Sequence, residues 1–460
     1  MKKIAAMLAL LVLLAVLPVV SAVQAGEKQT QKAEVIEKDV LENIQNLPGI
    51  DKDSIQKEFE TSSFENAIMS QSMSSTGYSG YCWKPKLIHF SFLMKNNDGL
   101  LPTKIDVWVN LRNYNYKKTK VDYLSPGSGL NVDANFNTNP VKTLIESRLL
   151  EEGYFMVVGI NPPEASYNPE NPRYSEEALK NYGMPSHVKE ARKVIELFQS
   201  VGFDYDYEIE GHSAGALVAA LVAVEIGDSD SRFKGLTIHD VALQFNQSTV
   251  QAEYATASYN AVANLFENGV YEYSNFTQYK KLANTIRAGY GSADSGVARG
   301  DPLPGNFTVE GLFYFASIHT GWMPGPVTAV TGLPDSWAFG NGGYLAGDYQ
   351  FMPDPADDVY SFSLTKIETM FEALDKIKYG AYPTAFERDI MAVWAGINPM
   401  DWDNISSQVK ISWRNDECGF GDVSQIDKAY EILSGRPGFS YNVRTGFCHA
   451  DETFANSAFK

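Results

Sequence analysis

One stretch constrains this chain more than any other: Tyr207-Glu208-Ile209-Glu210, then Gly211-His212-Ser213-Ala214-Gly215, then an Ala/Leu/Val run to Ile226. Glycines on both sides of Ser213 permit a turn too tight for side chains, so that a strand can pass straight into a helix with the serine at the apex. The run Ala214 to Ile226 is apolar on every face, as in a helix buried all round, and Gly227 is a suitable terminator. A serine hydroxyl in such a turn is exposed over a helix N-terminus, whose backbone N–H groups attract negative charge.

The rest of the chain supplies the layers around that turn. Lys104 to Val109 alternates at period two, like a half-buried strand, and Val121-Asp122-Tyr123-Leu124 is a second strand ending in Ser125-Pro126-Gly127-Ser128-Gly129. Tyr154 to Ile160 is apolar on both faces, as a central parallel strand covered by helices would be. Val188, Ala191, Val194, Ile195 and Phe198 fall at helical spacing, with Ser186 as the expected N-cap and Gly202 as terminator. Gly235 to Val241 adds a strand, completing the β-α-β alternation of a mostly parallel α/β sheet. From about Phe245 to Pro399 this rhythm gives way to aromatic- and Gly/Pro-rich sequence with helices around 366–377 and 387–395, read as an inserted cap. It resumes with a strand at Val409 to Trp413 and a helix at Ile426 to Leu433.

The N-terminus reads as a secretory signal: Met1-Lys2-Lys3, an apolar run from Ile4 to Val20, and small residues ending at Ala25. The expected organisation is therefore a signal peptide (1–25), an arm with short helices (26–75), a core in two parts (76–245 and 400–460) and the cap (246–399). A secreted or periplasmic location follows, with no stable membrane span after cleavage. The net charge of −18 becomes −18 − 2 = −20 without Lys2 and Lys3, and a surface so negative repels phosphate backbones, which argues against nucleic-acid partners. Three cysteines are too few for a disulfide-built scaffold, but export allows one bridge. Sequons stand at Asn246, Asn275, Asn306 and Asn404. The sequence carries no metal-ligand cluster, phosphate loop or dinucleotide fingerprint, so neither metal nor cofactor is expected.

With its strand before and apolar helix after, the Gly211–Gly215 turn resembles the nucleophile turn of the α/β-hydrolase family, and the resemblance runs over about 85–245 and 400–455. It implies the α/β-hydrolase fold, Ser213 as nucleophile, and the chain order nucleophile, acid, histidine. His239, His319 and His449 follow Ser213, and His449, in a Gly-containing loop near the C-terminus, is the base the family pattern implies. The acid expected is Asp416, after the strand Val409 to Trp413, with Glu417 and Asp422 close enough to compete. The oxyanion hole is expected from the Ala214 and Ser128 backbone N–H groups, with Gly127 and Gly129 as alternatives to Ser128. Pro126-Gly127 replaces the family's common His-Gly there, a variant resembling cutinase-like and acyl-hydrolase members. An assembled triad would bring Cys418 and Cys448 together, and a bridge between these loops resembles that of some cutinase-like polyester hydrolases. The cap aromatics Phe313, Tyr314, Phe315, Trp322, Trp337, Phe339 and Tyr344 read first as the cap's own core, with a pocket for an apolar or aromatic ester as the alternative. The activity implied is cleavage of a small-molecule or polymeric carboxylic ester through an acyl-enzyme. A cutinase-like polyester hydrolase, a secreted peptidase of the same fold and a non-catalytic binding protein are the other readings.

Overall fold

A computed structural model describes residues 50–60, 87–95, 101–110, 119–139, 141–171, 174–200, 205–300, 303–319 and 344–455. The expected signal peptide, Cys82, Gly202, Trp322, Trp337 and Phe339 lie outside the described residues.

Nine strands form one sheet: β1 (Ile50–Glu60), β2 (Leu87–Met94), β3 (Thr103–Asn110), β4 (Thr119–Ser125), β5 (Met156–Ile160), β6 (Tyr205–His212), β7 (Phe233–His239), β8 (Lys410–Asp416) and β9 (Phe439–Arg444). Their order is β1-β2-β3-β5-β4-β6-β7-β8-β9. The first three strands and the β3–β5 pair run antiparallel, and from β5 onward every neighbour is parallel. Antiparallel entry strands feeding a parallel run, with the β4/β5 order swapped, is the α/β-hydrolase fold the sequence pattern implied. The arm departs from expectation: it contributes the edge strand β1 rather than short helices at 50–60. β9 was not among the strands expected from the sequence; it alternates Phe439, Tyr441 and Val443, partly buried, with Ser440 and Asn442, exposed, over only six residues.

Side-chain alternation divides the sheet into two faces. Ile105, Val107 and Val109 of β3, and Met156, Val158 and Ile160 of β5, enter the main core, while Trp108 and Val157 between them enter a smaller core on the opposite side. Six helices matter here: α1 (Val132–Phe136), α2 (Met184–Gln199), α3 (Ala214–Ile226), α4 (Val250–Glu267), α5 (Ile367–Lys376) and α6 (Thr384–Trp394). α2 starts two residues before the expected Ser186 cap, because the Asp389 carboxylate accepts the Met184 N–H at 3.0 Å and caps the helix from a distance. α3 is buried as its composition requires. Phe386, Ile390, Met391 and Trp394 of α6 join the main core, so the end of the inserted segment shares one core with the sheet and its helices. Phe313, Phe371 and Leu374 of the insertion share a separate core with Ala134, Ala450 and Phe454.

Register places four loops together. Ser125 pairs with Gly211, His212 with His239, and His239 with Arg414, so β4, β6, β7 and β8 end level at one edge of the sheet. The loops at that edge carry Gly127–Gly129, Ser213, Asp240 and 417–421, and parallel sheets present their functional loops at this C-terminal edge.

Candidate active site

Ser213 sits at φ 56°, ψ −131°, one of two non-glycine residues with positive φ among the described residues. The strain is held by close packing: a Cβ on Gly211 would lie 2.3 Å from the Gly215 carbonyl oxygen, and one on Gly215 would lie 2.3 Å from those of Ser125 and Pro126. Both positions therefore require glycine, and Gly215 brings the β4 loop against the start of α3. The Ser213 N–H donates to the His239 carbonyl at 2.9 Å, fixing the turn to β7.

The structure brings His449 to Ser213: Nε2 lies 2.8 Å from the Ser213 Oγ. The other ring nitrogen, Nδ1, lies 2.5 Å from Asp240 Oδ2. Asp240 is fully buried and is the second non-glycine residue at positive φ (44°), directly after β7. Its Oδ1 accepts the Asp416 N–H at 2.8 Å and the Phe420 N–H at 3.0 Å, so one oxygen is committed to the backbone and the other to the histidine. A Cβ on Gly419 would fall 2.0 Å from Asp240 Oδ2, which leaves only glycine at that turn position.

The expected acid, Asp416, is not beside His449. It is the last residue of β8, and Arg444 of β9 takes its carboxylate, with Nε at 2.9 Å and Nη2 at 3.3 Å. Burial, reinforced by Glu452 and Asp240, pushes the Asp416 carboxyl upward against the pull of Arg444. Its side chain thus belongs to the packing beneath the site, and only its backbone touches Asp240. Of the competitors, Glu417 accepts the Gly446 N–H and Asp422 accepts the Ser424 N–H, so neither faces the ring. Asp240 directly follows β7, which lies between β6 and β8, so in the sequence it occupies the same kind of strand-end position as Asp416.

Cys418 and Cys448 are bridged, with Cα atoms 4.6 Å apart, tying the 416–421 turn to the residue before His449. In the β4 loop, Gly127 faces Ser213: its Cβ would be 3.2 Å from that of Ser213. The Gly127 N–H donates to Asn135 Oδ1 at 2.8 Å. Ser128 follows it and is half-buried. Ala214 begins α3, where its N–H has no acceptor in a preceding turn. Phe420 and Tyr344 rings lie 5.8 and 6.0 Å from His449, and Tyr344 comes from the inserted segment.

Beneath these residues runs a buried charge network. His239 places Nδ1 2.7 Å from Glu452 and Nε2 against Glu210, while Arg148 reaches Glu210 at 2.6 Å and Arg444 pairs with Glu452 as well as Asp416. Burial pulls the His239 ring down, but its two carboxylates outweigh this and raise it above its ordinary 6.5. Glu210 is held low, burial being outweighed by Arg148 and His239. No cluster of three or more His, Cys, Asp or Glu suited to a metal ion occurs among the described residues.

No family model matches the chain, and no curated protein matches it. Solved structures of similar fold include a provisionally assigned lipase from Sulfolobus solfataricus (14% identity, covering 81% of this chain and 90% of the other, TM-score 0.49). A carboxyl esterase from Bacillus coagulans (14%, 79% and 92%, 0.38) and a variant epoxide hydrolase from Vigna radiata (14%, 79% and 93%, 0.39) are others. The likeness is one of fold.

Proposed function

We propose that this protein is a serine hydrolase that cleaves carboxylic esters through an acyl-enzyme on Ser213, with His449 as general base and Asp240, in place of Asp416, as the acid that orients it. One observation carries the reading: Ser213, His449 and Asp240 stand in an unbroken hydrogen-bonded line of 2.8 and 2.5 Å, with the serine on a strained strand-to-helix turn.

The chemistry follows from that line. Asp240 accepts a hydrogen bond from Nδ1–H, which leaves the Nε2 lone pair directed at Ser213 Oγ, the arrangement needed to take the hydroxyl proton as the oxygen attacks a carbonyl. The buried carboxylate stabilises the imidazolium formed, and the Ala214 and Ser128 N–H groups are the donors for the oxyanion. The imidazolium then protonates the leaving alcohol, and water repeats the sequence to release the acid from Ser213. Burial of Asp240 and His449 keeps water from competing for these hydrogen bonds.

The test is hydrolysis of p-nitrophenyl esters of short and long acyl chain by wild type, Ser213→Ala and His449→Ala, with fluorophosphonate labelling of the serine. Loss of at least about 10⁴-fold in kcat for both variants supports the reading, and wild-type turnover by Ser213→Ala ends it. The chain-length profile separates an esterase from a lipase-like enzyme, and a peptide substrate tests peptidase activity. We also read the chain as exported. The Cys418–Cys448 bridge supports this, since such bonds persist in oxidising compartments. No helix among the described residues is long and apolar enough to cross a membrane. N-terminal sequencing of the mature protein, expected to begin near Gly26, checks it.

A further inference from the structure

His212, the residue before the nucleophile, and Asn135, on α1, take no part in the line described above, yet both are buried against it, at 2% and 0% exposure. His212 Nε2 lies 2.9 Å from the His449 carbonyl oxygen, so this nitrogen must carry the ring proton. The Gly127 N–H donates to Asn135 Oδ1, which fixes the carboxamide, and His212 Nδ1 lies 3.2 Å from its NH₂ nitrogen and 3.3 Å from Oδ1. With the single proton of a neutral ring on Nε2, Nδ1 is an acceptor and takes the Asn135 NH₂. Burial first, and the neighbouring His449 second, hold His212 in that form.

Each group in this chain has one assignable role: Gly127 N–H donates to Asn135, Asn135 NH₂ donates to His212, and His212 N–H donates to the His449 carbonyl. Turning the Asn135 carboxamide over would set its NH₂ against the Gly127 N–H, and moving the His212 proton to Nδ1 would set the Nε2 lone pair against the His449 carbonyl oxygen. The relay therefore joins the β4 loop, which faces Ser213, to the backbone of the base. It also occupies the Gly127 N–H, which takes that amide out of the choice and makes the next one, Ser128, ahead of Gly129, the loop's donor to an oxyanion.

We propose that His212 and Asn135 are positioning residues that set the spacing between the base loop and the oxyanion loop, and that they assign the loop's oxyanion donor to Ser128 by engaging Gly127. The proposal rests on the serine-hydrolase reading. Neither side chain touches the reacting atoms. Their effect falls on turnover rather than on substrate binding, because the geometry they maintain matters most when charge develops on the carbonyl oxygen.

The test uses the full chain and p-nitrophenyl acetate, with kcat and KM determined separately. His212→Leu and Asn135→Leu should each lower kcat about 10²-fold, the scale of a misplacement of roughly 1 Å, and leave KM within about threefold. His212→Gln, whose carboxamide can still donate to His449 and accept from Asn135, should return to within about tenfold of wild type. Wild-type kcat in both leucine variants, or a His212→Gln as impaired as His212→Leu, overturns the proposal. Should the leucine variants not fold, ¹⁵N NMR of the histidine-labelled wild type decides. A neutral His212 ring protonated at Nε2 is expected, and a ring protonated at Nδ1, or at both nitrogens, at neutral pH overturns the relay. Ser213→Ala in the same assay separates the two levels. If it stays active, the serine-hydrolase reading falls. If it is inactive while the leucine variants turn over like wild type, the relay alone falls.

Discussion

Replacing Asp240 by Asn changes one atom, and the surroundings dictate how the new carboxamide must lie. Oδ1 of Asp240 accepts two backbone N–H groups, from Asp416 at 2.8 Å and Phe420 at 3.0 Å. Turning the carboxamide over would aim its NH₂ at both donors, so the oxygen stays with them and the NH₂ takes the place of Oδ2, 2.5 Å from His449 Nδ1. That nitrogen would then have to accept, the ring proton would move to Nε2, and Nε2 would present a proton to Ser213 rather than a lone pair. Loss of the correct tautomer in a Ser-His-Asp arrangement costs about 10⁴-fold in kcat, or about 5.5 kcal/mol of transition-state stabilisation. Asp416→Asn should cost no more than about 10- to 100-fold, since its backbone N–H, the part that holds Asp240, is unchanged. Steady-state kinetics on p-nitrophenyl acetate at neutral pH, with thermal unfolding to show that both variants fold, make the comparison. A folded Asp240→Asn with near wild-type kcat, beside an inactive Asp416→Asn, would refute the assignment.

Further consequences concern stability as much as turnover. His239 is raised above 6.5 by Glu452 and Glu210, so its contribution is complete below about pH 6.5 and is lost as pH rises through the raised value; the fall in Tm between about pH 6 and 9 should be shallower in His239→Gln. Asp427 accepts four backbone N–H groups, from Leu243, Gln244, Ala429 and Tyr430. In Asp427→Asn one oxygen becomes a donor facing donors, and urea unfolding should show a loss of about 3 kcal/mol. The Cys418–Cys448 bridge closes a loop of sequence separation 30, so the Cys418→Ser/Cys448→Ser double variant should lose about 3–4 kcal/mol in the chain-entropy picture, an effect reductant reproduces in wild type. Gly215→Ala, whose Cβ would lie 2.3 Å from two carbonyl oxygens of the β4 loop, should displace that loop and lower kcat on the order of 10²-fold while the chain still folds, as kinetics with circular dichroism will show.

The Gly211–Gly215 turn was legible in the sequence because it is local: strand, Gly-x-Ser-x-Gly and apolar helix are contiguous, and steric limits on a turn read the same in any fold. The central strands were legible for the same reason, since burial on both faces writes an unbroken apolar run such as Tyr154 to Ile160. β1 and β9, at the two edges of the sheet, were not: β1 is largely polar on both faces, and β9 writes its apolar alternation over only six residues. The choice between Asp240 and Asp416 lay beyond any local pattern. Both end parallel strands at the same edge of the sheet, and each is a carboxylate within a residue of its strand's end. What separates them is the path of a loop far along the chain: Arg444 captures Asp416, while the bridged turn behind Cys418 lowers two amides onto Asp240 and leaves its second oxygen to His449. Sequence by itself determined which residue types the turn and the sheet demand. Only the tertiary structure decided which carboxylate meets the histidine, because a hydrogen bond of 2.5 Å depends on the closing of segments about two hundred residues apart, for which neither segment carries a local signature.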